Sequence, residues 1–72
     1  MRKLPRDLSG YEVVRALERS GFVLVRRHGS HRILERGEIT LSVPDHHAIR
    51  PGTLRRLIRD AGLTVGEFLD LL

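Results

Sequence analysis

Cysteine is absent from the 72-residue chain, which removes disulfides, thiolate nucleophiles and cysteine-ligated zinc in one step. Asparagine, glutamine and tryptophan are missing as well, and the aromatic residues come to one tyrosine and two phenylalanines. Little aromatic surface is therefore on offer for stacking nucleic-acid bases, and Tyr11, Phe22 and Phe68 are all assigned to core or helix packing. No apolar run approaches the length that spans a bilayer, and the basic start Met1-Arg2-Lys3-Leu4-Pro5 is followed by no secretory-type apolar stretch. A cytoplasmic protein with no membrane partner is the expectation.

Seventy-two residues make one domain, residues 1–72, which leaves exposed roughly 40% of the surface of the unfolded chain. That is too small for a deep enclosed cavity, so no small-molecule cofactor is expected. The hydrophobic share of 40%, without low-complexity segments, marks an ordinary folded domain.

Charge is the strongest compositional signal. Thirteen Lys+Arg against nine Asp+Glu give a net charge of +4, and all the cations but Lys3 are arginine, the side chain suited to forked contacts with phosphate. Residues 1–36 carry nine cations and four acids, whereas residues 37–72 carry four cations and five acids. The basic character thus belongs to the first half, and a polyanionic partner, most simply RNA, fits it. An Arg-rich solvated surface is the plainer alternative.

Ser9 followed by Glu12 has the spacing of a capping box, with Leu8 and Val13 as a hydrophobic staple, so a helix should start near Gly10 and end at Gly21. Phe22 to Arg27 read as a first strand, His28-Gly29-Ser30 as a turn, and His31 to Arg36 as a second strand. After Arg36-Gly37-Glu38, Ile39 to Val43 alternate as a third, which Pro44 should stop. Asp45 to Arg50 read as a loop. Leu54, Leu57, Ile58 and Ala61 give the next helix an apolar stripe opposite Arg55, Arg56, Arg59 and Asp60. Thr64 and Glu67 repeat the capping pattern ahead of a short last helix. The order predicts a two-layer α+β domain: a three-stranded antiparallel sheet with both main helices on its apolar face, its polar face open.

A turn between two strands holds its side chains where ligands reach them, and here it carries His31. The ordinary pKa of histidine lies near neutrality, so its imidazole can both take and give a proton. RNA cleavage needs little more: a base for the 2′-hydroxyl proton and cations for the charge that builds on phosphate. His31 is the candidate catalytic group. Ser30, Arg26, Arg27 and Arg32 are the candidate phosphate contacts beside it, with His46 as a further contact or a structural residue of its loop. Four histidines also raise a zinc reading, but the H-E-x-x-H spacing is absent and no set is completed, so no metal is assigned. At the start of the second helix, Arg50-Pro51-Gly52-Thr53 with Arg55 and Arg56 can grip a phosphate through free N–H groups and guanidinium. Alternatively, Thr53 simply caps that helix.

The blocks Gly29-Ser30-His31, Val43-Pro44-Asp45-His46 and Gly52-Thr53-Leu54-Arg55, preceded by Gly21-Phe22-Val23 and followed by Ala61-Gly62-Leu63, resemble the HicA toxins of toxin-antitoxin pairs. The resemblance runs from about Leu8 to Phe68. It implies an mRNA interferase, a stress-response endoribonuclease, with a fold similar to the double-stranded-RNA-binding domain, α-β-β-β-α. It also implies cleavage through the histidine of the Gly-Ser-His block, here His31, and neutralisation by a HicB-type antitoxin. The pattern assigns no role to the short C-terminal helix or to His47. A non-catalytic RNA-binding module of the same shape, or a basic face for an acidic protein, stay open beside it.

Overall fold

A computed structural model describes residues 2–72. Its elements run α1 (Gly10–Arg19), β1 (Val23–His28), β2 (His31–Arg36), β3 (Ile39–Pro44), α2 (Pro51–Asp60) and α3 (Val65–Asp70). The strands form one antiparallel sheet in the order β1-β2-β3. This is the expected α+β architecture, short C-terminal helix included.

Both capping boxes form. The Ser9 hydroxyl accepts from the Glu12 N–H while the Glu12 carboxylate accepts from the Ser9 N–H, and Thr64 with Glu67 does the same at α3. The two long helices end alike: the Gly21 and Phe22 N–H groups close on the Glu18 and Leu17 carbonyls, and those of Gly62 and Leu63 on Arg59 and Ile58. That pairing satisfies carbonyls the helix leaves open. It also explains why β1 begins at Val23 rather than at Phe22, since the Phe22 N–H is committed to α1.

Both hairpins use two-residue turns, Gly29-Ser30 and Gly37-Glu38. In each the glycine comes first with positive φ, 61° at Gly29, and the second residue does not share it. This is the turn whose twist matches the flanking strands. His28 consequently belongs to β1, opposite His31, instead of to the turn. Pro44 is likewise the last residue of β3, in register with His31. Proline is tolerated there because a sheet edge asks no donor of it.

The core is a single layer between helices and sheet. Val13, Val14, Ala16 and Leu17 of α1 and Leu54, Leu57 and Ile58 of α2 pack with Leu34, Leu41 and Val43 of the sheet, and Phe22, Ile49 and Phe68 close the ends. The opposite sheet face is not uniformly polar as expected. Ile33 is only 8% exposed and lies outside that core, between Arg26 and Ser42 in register.

Arg36 organises one end of the domain. Its Nη1 donates to the Ser20 carbonyl at 2.7 Å and its Nη2 to the Ala61 carbonyl at 2.8 Å, the C-caps of α1 and α2. A single fork thus neutralises the negative ends of both helix dipoles. Its guanidinium also covers the Phe22 ring at 4.4 Å.

Candidate active site

Since β2 runs from His31 to Arg36, and Arg36 meets both helix C-termini, both helix N-termini lie at the His31 end of the sheet. Backbone bonds confirm the placement: the Gly10 N–H donates to the His46 carbonyl at 2.9 Å and the Ile49 N–H to the Leu8 carbonyl at 2.7 Å. The positive ends of two dipoles therefore share one end of the molecule with the histidine turn.

Three chain segments converge there. The Asp45 N–H donates to the Ser30 carbonyl at 2.7 Å, so the loop after β3 is tied to the Gly29-Ser30 turn, and His46 is tied in turn to the start of α1. His28, Ser30, His31, Asp45, His46 and His47 are all exposed. The Asp45 carboxylate lies between two guanidinium groups, 3.7 Å from Arg27 Nη2 and 3.5 Å from Arg32 Nη2. Arg32 is the more enclosed, its side chain 20% exposed. Its Nε is the buried side-chain N or O atom that lacks a hydrogen-bond partner among the described residues.

A bulge decides which arginine joins this cluster. Leu24 pairs with Leu34 and Arg26 with Ile33, leaving Val25 extra. The extra residue reverses the faces downstream. Arg27 thereby shares the helix-side face with Arg32 and Val43, while Arg26 goes to the open face in register with Ile33, on the side where His31 and His28 pair. Period-two counting along Val23 to His28 carries no sign of this inversion.

Other sequence candidates are placed elsewhere. The N-cap of α2 is Arg50 and no side chain caps that helix, so Thr53 lies inside the first turn and is not its cap. Arg55 and Arg56 are exposed on the outer side of α2, opposite the buried Leu54, Leu57 and Ile58. They line a shallow hollow with Gly52, Arg59, Leu63 and Val65.

Tyr11 escaped the sequence reading. It is 55% exposed in the first turn of α1, not packed into the core. Arg15 Nη1 donates to its hydroxyl at 3.1 Å, and the Arg15 and Arg32 guanidinium carbons stand 5.9 and 6.0 Å from its ring centre. The helical wheel does point it outward, with Arg15 one turn on. Its approach to Arg32 of β2 depends on the tertiary fold.

No curated protein matches the chain. A family model, HicA toxin of bacterial toxin-antitoxin, matches residues 10–63, from the first residue of α1 to the Leu63 that closes α2, with α3 outside it. The chain belongs to the HicA toxin family of bacterial toxin-antitoxin systems.

Proposed function

We propose that this toxin is an endoribonuclease that cleaves mRNA without a metal ion, with His31 as its general base or acid, and that a HicB-type antitoxin restrains it by covering the same end of the sheet. The observation that carries the reading is the convergence of an exposed His31 turn with Arg27, Arg32 and two helix N-termini. In it, His31 takes the 2′-hydroxyl proton of a bound nucleotide. The 2′-oxygen attacks the adjacent phosphorus, the bond to the 5′-oxygen breaks, and that oxygen takes up a proton from water as it leaves.

Charge builds on the non-bridging oxygens during that step, and Arg27 and Arg32 are the groups to meet it, with Ser30 and His46 beside the turn as further contacts. Arg32 suits the role because, among the described residues, its one ion-pair partner is Asp45 at 3.5 Å and its Nε lacks a hydrogen-bond partner, so most of its five N–H donors are unspent. The ion pairs with Asp45 are partly exposed, and pairs of that kind hold by no more than about 1 kcal/mol. A phosphate can replace the carboxylate at small cost. Arg26, on the open face that His31 shares, would be a further phosphate contact on the side of the general base. Thr53, Arg55 and Arg56 on α2 would track the RNA backbone farther from the reacting bond.

The test is a gel assay of end-labelled single-stranded RNA with the purified chain and its His31→Ala variant, both in chelator and both checked for fold by circular dichroism. Cleavage by the parent alone is the expected result. Equal cleavage by a folded His31→Ala variant would refute the catalytic assignment. Retention of RNA without cleavage by either would identify a binding module instead.

A further inference from the structure

Resting on that reading of the substrate, we infer that Tyr11 is a nucleobase-binding platform, stacking a base of the single-stranded RNA whose phosphates reach Arg27 and Arg32. An aromatic side chain 55% exposed in the first turn of a helix leaves apolar area in water, and it stabilises nothing in the core by doing so.

Distances distinguish this ring from its buried counterpart. The Arg36 guanidinium carbon stands 4.4 Å from the Phe22 ring centre, close enough to cover it, and Phe22 is buried. Arg15 and Arg32 stand 5.9 and 6.0 Å from the Tyr11 centre, at the outer limit of a cation–π contact. Both stand farther from it than Arg36 does from Phe22, and Tyr11 keeps 55% of its surface exposed. Arg15 also donates to the hydroxyl at 3.1 Å, which fixes how the ring stands.

Location supplies the second argument. Tyr11 directly follows Gly10, whose N–H bonds the His46 carbonyl, and the Arg32 guanidinium is near both the Tyr11 ring and Asp45. Tyr11 also lines an open groove with Leu8, Glu12, Arg15, Arg19 and Leu72. An aromatic ring flanked by arginines is the combination by which proteins hold single-stranded nucleic acid: guanidinium on phosphate, ring on base. Stacking demands an unpaired base, so the platform would select single-stranded over duplex RNA.

The composition makes this testable directly, because Tyr11 is the only tyrosine and tryptophan is absent. Intrinsic emission therefore reports on this ring alone. The His31→Ala chain, which keeps the RNA whole, is titrated at low salt with a single-stranded oligoribonucleotide and with an abasic ribose-phosphate strand of equal length, absorbance being corrected with free N-acetyltyrosinamide. Anisotropy of a label on each strand gives the affinity, and Tyr11→Phe and Tyr11→Leu are measured alongside.

Expected are quenching by the oligoribonucleotide but not by the abasic strand, near-parental affinity for Tyr11→Phe, and roughly ten-fold weaker RNA binding for Tyr11→Leu. Abasic-strand affinity should be the same for all three. RNA binding that is equally tight in Tyr11→Leu, without quenching in the parent, would overturn the platform and leave the nuclease reading standing. No RNA binding by any of these chains would overturn both.

Discussion

The Asp45 N–H donates to the Ser30 carbonyl at 2.7 Å, joining two segments that the sequence separates by the whole of β2 and β3. That bond sets the Asp45 carboxylate between Arg27 and Arg32. Under the proposed function, the carboxylate takes in the free toxin the place of the phosphate that these guanidinium groups would bind.

Asp45→Asn should strengthen RNA binding several-fold at low salt, since two guanidinium groups lose a competing charge. Stability should change by less than about 1 kcal/mol, because the ion pairs are partly exposed. Fluorescence anisotropy in the His31→Ala background and urea unfolding check the two halves. Weaker binding would mean that Asp45 is needed to aim the arginines.

Arg27→Ala and Arg32→Ala should each weaken RNA binding and flatten its salt dependence. The slope of log affinity against log salt should fall in magnitude by about 0.7 for each lost phosphate contact to a single strand. An unchanged slope would remove that arginine from the phosphate-binding set.

Arg36→Met should destabilise the fold by about 3 kcal/mol, through the loss of two charge-assisted bonds to helix C-termini and of the contact with Phe22. For a domain of this size the melting temperature should drop by roughly 15 °C. Arg36→Lys should recover only part of the loss, as one ammonium cannot serve both carbonyls with the geometry of a fork. Thermal unfolding by circular dichroism reads both, and cleavage by the protein that remains folded should be unaffected.

Gly10→Ala should cost about 2 kcal/mol despite the better helix propensity of alanine, because its methyl would overlap the Pro44 carbonyl oxygen and push α1 from the end of β3. Gly52→Ala is the contrast. Nothing lies within 4 Å of the added methyl, so it should stabilise by about 0.5 kcal/mol. Urea denaturation of the two variants separates close backbone approach from propensity.

The start of α1 at Gly10 and that of α3 at Val65 were legible because the Ser9/Glu12 and Thr64/Glu67 boxes act within a single turn. The two turns, the buried stripe of α2 and the α+β layering follow similarly from residues a few positions apart, whose φ preferences and period of 3.6 or 2 operate locally. His31 is proposed by the same local logic, as a proton-transfer side chain beside a glycine turn, and it opens β2.

Long-range geometry decided the rest. Arg36 reads as an ordinary strand-end arginine until the fold brings Ser20 and Ala61, 16 and 25 residues away, to its two nitrogens. Tyr11 reads as a packing residue until Arg32 of β2 arrives beside it. Which of Arg26 and Arg27 faces Arg32 turns on the bulge at Val25, which depends on how β1 and β2 pair. Local signals specify which segments form, because the forces behind them reach about one turn of chain; which side chains meet depends on how those segments pack to bury one shared apolar face.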